Sequence, residues 1–156
     1  ESQIVHSALE LDQLPVREIM TPRPKVIWLN KDDPHEQVWH KIVVSRHSQF
    51  PVYDGSRDNV VGVVSVKAIY ANLAAGVPVQ LGDLMAPPVI VPEIMAVPKL
   101  LETFRQSGSH VALASNEFGP IVGMVTLIDV MEAVVGELPS QDDRLKPDIR
   151  LRPDGT

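Results

Sequence analysis

Thr126 and Asp129 stand three residues apart where the apolar stretch "GMVTLIDV" (residues 123 to 130) passes from a strand-like into a helix-like pattern. A hydroxyl at a helix start with a carboxylate three residues on can close a capping box, each side chain accepting from the other residue's backbone N–H. The same pair can serve a ligand. Free N–H groups at a helix start attract phosphate, and a carboxylate one turn in can accept both hydroxyls of a ribose. The two uses are compatible. An equivalent stretch, "GVVSVKAI" (62 to 69), keeps Ser65 at the Thr position but has Ala68 at the Asp position, so the pair is complete only once.

Other chemistry is harder to assemble. "HEQVWH" (35 to 40) resembles a zinc-binding helix motif, but that motif spaces its histidines by four, and here the spacing is five. On a helix this sets the rings roughly 140° apart, too far to share one ion. His6, His47 and His110 are scattered, with His47 and His110 at equivalent approaches to strands in the two halves. G-x-G-x-x-G, Walker and G-x-S-x-G patterns are absent. Glu132, Glu137, Asp142 and Asp143 read as a solvated acidic face. The chain has no cysteine, which removes disulfides and thiolate metal sites.

The elements that position Thr126 and Asp129 come as a repeat. "REIMTPRPKVI" (17 to 27) matches "GDLMAPPVIV" (82 to 91), and "NVVGVVSVKAIYANL" (59 to 73) matches "PIVGMVTLIDVMEAV" (120 to 134). Each unit reads β-α-β-β-α. In unit one a helix is predicted over 34–45 after the "KDDP" start signal, with Val38, Ile42 and Val43 on its inner face. In unit two the helix covers 96–107, with Leu100, Leu101 and Phe104 inward and Gly108 as its stop. The strands are "QFPVYD" and "NVVGVVS", then "HVALAS" and "PIVGMVT"; closing helices run over 66–75 and 127–136. One unit is too small to bury its sheet, and two packed together solve that problem. The fold class expected is α+β, two units related by a pseudo-twofold axis. The boundaries are a lead-in helix or linker over 1–15, repeat one over 16–79, repeat two over 80–138, and a polar, Pro-interrupted linker over 139–156.

With 156 residues and 44% apolar content the chain can bury a core, and no apolar run reaches the roughly 18 residues of a membrane span. The net charge of −6 and the lack of a Lys/Arg cluster speak against nucleic acid. A sequence that opens on Glu1 and closes on "RLRPDGT" reads as a piece of a longer protein.

The tandem β-α-β-β-α unit ending in G-h-h-[ST]-x-x-D resembles the CBS-domain pair, or Bateman module. "VREIMTPR", "HSQFPVYDG", "DNVVGVVSVK", "VPE" and "FGPIVGMVTLIDVMEAVVGE" resemble the CBS pair of the CorC/HlyC/TlyC group, which includes the CNNM magnesium transport mediators. The match covers about residues 1 to 143, and "DIRLRPDGT" resembles the first strand of the CorC/HlyC-type domain that follows. The resemblance implies a regulatory module rather than an enzyme, at the cytoplasmic face of the bacterial inner membrane, attached to a transmembrane domain that moves Mg²⁺ or Co²⁺. It implies an adenine nucleotide, ATP or AMP, in the cleft between the repeats, with Mg²⁺ held through the phosphates, and a homodimer. In the family pattern Asp129 holds the ribose and Thr126 contacts phosphate. The other wall falls to Thr21, Arg23 and Val26, then His47, Ser48, Gln49 and Pro51, with His110 closing the site. Gln49 stands where "HSRFPV" is usual and Ala68 where the family has Asp, so one site is expected rather than two. The alternative is a purely structural dimerisation module with a degenerate, non-binding cleft.

Overall fold

The structure, a computed structural model, describes residues 12–78 and 80–136. Most of the expected lead-in over 1–15, and the linker expected over 139–156 with Asp142 and Asp143, lie outside the described residues, as does Glu137. Unit one contains β1 (Thr21–Pro22), β2 (Leu29–Asn30), α1 (His35–Val43), β3 (Gln49–Asp54), β4 (Ser56–Ser65) and α2 (Val66–Ala74). Unit two contains α3 (Leu81–Leu84), β5 (Ile90–Pro92), α4 (Val97–Ser107), β6 (Val111–Ser115), β7 (Ile121–Thr126) and α5 (Leu127–Gly136).

Each unit builds the same sheet from its own three strands. In unit one β2 pairs parallel with β3, and β3 antiparallel with β4. In unit two β5 pairs parallel with β6, and β6 antiparallel with β7. The fourth position is exchanged between units. β1, from the start of repeat one, pairs antiparallel with β7 of repeat two, setting Thr21 against Met124 and Pro22 against Gly123. Reciprocally, Ala86 from the start of repeat two bridges to Val63 on β4, each residue donating to the other's carbonyl at 2.8 and 2.9 Å.

Packing follows the exchange. Val16, from repeat one, is fully buried with Val91, Val97, Leu100, Phe104, Val125 and Val130 of repeat two. Leu81, from repeat two, is buried with Leu29, Val38, Ile42, Phe50, Val64 and Ile69 of repeat one. A third cluster joins the sheets through Val26, Trp28, Val63, Val111, Leu113, Ile121 and Met124. Each fully buried Leu, Ile or Phe stabilises the fold by about 1.5–3 kcal/mol relative to exposure.

Helix α1 buries Val38 and Ile42 but leaves Val43 55% exposed, and α4 buries Leu100 and Phe104 but leaves Leu101 38% exposed. Both inner faces are narrower than the sequence suggests, because each helix covers one small sheet. The "KDDP" signal also works differently. Pro34 occupies the N-cap with no side-chain cap, while Asp33 accepts from Asn30 N and from Lys41 Nζ at 3.0 Å, tying the turn to the helix body. Gly108 ends α4 in the left-handed region (φ 73°), a conformation that glycine adopts without a Cβ clash.

Candidate functional site

Thr126 is the last residue of β7 and the cap of α5. Its N–H donates to Asp129 Oδ2 at 2.9 Å, and Asp129 N–H donates to Thr126 Oγ1 at 3.1 Å. The capping box is therefore complete. In unit one Ser65 Oγ accepts from Ala68 N at 3.0 Å, the hydroxyl half of the same cap without its carboxylate. The two helix starts are strapped alike: Val66 N donates to Ser48 O and Leu127 N to His110 O, both at 2.9 Å. By those bonds Ser48, not His47, is the equivalent of His110, which places the two histidines one position out of register.

Beside the box lies a cleft of about 310 Å³, at the small end of the usual size for ligand pockets. One wall is α5 and the end of β7, with Met124, Thr126, Ile128, Asp129 and Glu132; the other unit contributes Arg46, His47 and Ser48 of the loop between α1 and β3 and Gln49 at the start of β3, and Thr21 of β1 completes the lining. The loop is held by Ser45, whose hydroxyl accepts from His47 N at 3.0 Å, and by pairing of Gln49 with Ser65. Both units contribute. Thr21 reaches the cleft only because β1 is exchanged onto β7, opposite Met124.

Six of the ten residues singled out in the sequence line this cleft: Thr21, His47, Ser48, Gln49, Thr126 and Asp129. The other four lie elsewhere. Arg23 donates to Asp58 Oδ1 and to the carbonyl of Ile121, both at 2.7 Å, and stacks over Trp28 at 5.3 Å, so its charge is paired within its own unit while one N–H reaches the other unit, away from the cleft. Val26 is buried in the cluster between the sheets, and Pro51 is fully buried. His110 is exposed and contributes its carbonyl to the start of α5. Sequence reasoning missed Arg46, Met124, Ile128 and Glu132. Glu132 was legible in principle, since it follows Asp129 by three residues on one helix face. Arg46 was not, because nothing local distinguishes it from other exposed loop cations.

The cleft can hold a polar, anionic ligand with a hydroxylated ring. It offers two carboxylates, Asp129 at a helix start and Glu132 one turn on, with three hydroxyl side chains, an amide, an imidazole and one guanidinium around apolar side chains at Met124 and Ile128. The N-terminus of α5 adds a favourable field for negative charge. Among the described residues no cluster of three or more His, Asp or Glu side chains is placed to hold a metal ion, and no helix is long and apolar enough to cross a membrane.

The CBS domain family model matches residues 16–75 and 81–136. The chain is 34% identical over 142 residues to the magnesium and cobalt efflux protein CorC of Pasteurella multocida, covering 90% of this chain and 47% of that protein. It is 34% identical over 155 residues to the inner membrane protein YoaE of Escherichia coli, covering 99% of this chain and 30% of that protein. The chain thus spans less than half the length of these relatives. Among solved structures, the CBS domain of a bacterial CNNM/CorC family Mg²⁺ transporter in complex with ATP is 37% identical, with a TM-score of 0.74 over 88% of this chain and 98% of that one. Two β-α-β-β-α units that exchange their leading segments, a single complete Thr/Asp box at the cleft, and these matches agree: the chain belongs to the CBS-domain family, as a tandem CBS pair of the CorC/CNNM kind.

Proposed function

We propose that the cleft binds an adenine nucleotide, ATP or AMP, and that occupancy regulates an attached membrane domain that transports Mg²⁺ or Co²⁺ from the cytoplasmic face of the inner membrane. One observation carries the reading: the only complete capping box among the described residues lines a cleft to which the other unit also contributes. Asp129 Oδ2 is engaged within the box, which leaves Oδ1 to accept from a ribose. Ser48, Thr21 and Thr126 supply hydroxyls to the polar parts of the ligand, and the apolar side chains of Met124 and Ile128 suit an apolar ring face. Mg²⁺ would be held through the nucleotide's phosphates, with no dedicated protein ligands. The ATP complex of the similar CBS domain supports the same ligand class.

A ligand touching both walls contributes binding energy that depends on how the units sit, and that differential is what biases an attached domain. The module works as a homodimer through its helices. Tyr70 on α2 and Met131 on α5 occupy equivalent positions and are 49% and 58% exposed, with Ile128 and Val135 adding apolar surface. These faces also fit the second reading, a structural dimerisation module with no ligand.

Calorimetric titration with ATP and AMP, with and without Mg²⁺, separates the two. Saturable heat with at least one adenine nucleotide supports the sensor. A dimer that shows neither heat nor a thermal shift with any of them is the structural module.

A further inference from the structure

Of the first three N–H groups of α5, that of Leu127 is taken by the carbonyl of His110 and that of Asp129 by Thr126 Oγ1. The helix start therefore has little left to donate to a phosphate. The same wall carries two carboxylates, Asp129 and Glu132, which repel one. Among the described lining residues His47 is the only imidazole and Arg46 the only guanidinium.

Arg46 is also uncommitted. Among the described arginines, Arg17 meets Glu18, Arg23 meets Asp58, Arg57 lies over Trp28 and Tyr53, and Arg105 meets Glu102. Arg46 has no ion pair, hydrogen bond or ring contact in the described structure. It stands on the loop pinned by Ser45 and Ser48, so its backbone is placed while its side chain is unspent.

We propose that Arg46 is the phosphate-binding residue of the cleft and sets its preference for phosphorylated over unphosphorylated ligands. This rests on the reading of the cleft as a nucleotide site. A planar guanidinium can meet two oxygens of one phosphate at once, and in a lining otherwise weighted toward carboxylates it supplies the compensating charge. The contribution should grow with the number of phosphates, because each adds charge that the Arg46 guanidinium opposes.

The test titrates adenosine, AMP and ATP, in buffer free of divalent cations, into the wild type and the variants Arg46→Gln and Arg46→Lys. A parallel thermal-shift series uses inorganic tripolyphosphate. Arg46→Gln should lose about tenfold or more in ATP affinity, less for AMP and none for adenosine, with Arg46→Lys recovering part of the loss. Equal losses for all three ligands would mean that Arg46 only shapes the loop, and no loss would mean that its charge is idle; either overturns the proposal. If no adenine compound binds but tripolyphosphate protects the wild type and not Arg46→Gln, the phosphate contact stands and the nucleotide reading falls. If tripolyphosphate protects neither protein and no nucleotide binds, both fail. Because Arg46 is exposed, melting curves of the free variants should match the wild type.

Discussion

Met20 lies so close against Gly123 that a Cβ at that glycine would stand 2.5 Å from the methionine sulfur. The second repeat returns the contact, with Met85 2.6 Å from where a Cβ of Gly62 would be. The two Met–Gly seats are what lets each unit accept the other's leading segment. They explain why glycine interrupts both apolar strands, "VVGVV" and "IVGMV", where a β-branched residue would otherwise pack better.

The seats differ in what surrounds them. At Gly123 a new methyl would also meet the Thr21 carbonyl at 2.7 Å, whereas at Gly62 the three nearest atoms all belong to the Met85 side chain. Gly123→Ala should cost about 2–3 kcal/mol and Gly62→Ala about 1–2 kcal/mol, since side chains yield more readily than backbone. Gly123→Ala should also weaken nucleotide binding by displacing Thr21. Urea unfolding and ligand titration of both variants check this, and equal costs would contradict the asymmetry.

The caps allow structure to be separated from binding. Ser65→Ala, Thr126→Ala and Asp129→Ala each remove cap hydrogen bonds and should each cost about 1 kcal/mol. Only Thr126→Ala and Asp129→Ala should impair nucleotide binding, with Asp129→Ala abolishing it. Unchanged affinity in Asp129→Ala would dismiss the site.

The Arg23–Asp58 contact predicts an acid sensitivity. The hydrogen bond from Arg23 is the main cause that holds the Asp58 carboxyl below its ordinary value of 3.8. With the folded pKa depressed, the contact stabilises the protein above the unfolded pKa and is lost as pH falls through the folded pKa. Melting temperatures measured from about pH 5 down to about pH 2 should fall less steeply for Asp58→Asn than for the wild type. Parallel curves would show that the contact is immaterial to stability.

Dimerisation through the helix faces predicts a change of mass. Tyr70→Glu combined with Met131→Glu places charge on the two equivalent exposed positions, which a buried interface of roughly 800 Å² per partner does not tolerate. Sedimentation should show the wild type as a dimer and the variant as a folded monomer. A dimeric variant would place the interface elsewhere.

Much of the fold was legible because its elements are declared locally. Strand β3 covers "QFPVYD" as read, α5 covers 127–136, and Gly108 stops α4. The Thr126/Asp129 box was legible for the same reason: its two hydrogen bonds span three residues. Arg23 was misplaced because its neighbours in space, Asp58 and Ile121, are far from it in the chain. Val43 and Leu101 were misread because a helical stripe reports which residues share a face and not how much of that face a partner covers.

By itself the sequence determined the repeat, the order of strands and helices within each unit, and the single complete Thr/Asp pair. These depend on periodicities and spacings of a few residues, which backbone geometry converts directly into structure. Only the tertiary structure decided that each unit completes its sheet with the other's leading segment, and hence that Thr21 lines the cleft with Asp129 while Arg23 does not. That outcome rests on the fit of Met20 to Gly123 and of Met85 to Gly62, contacts between residues distant in the chain whose energy exists only once both sheets have formed.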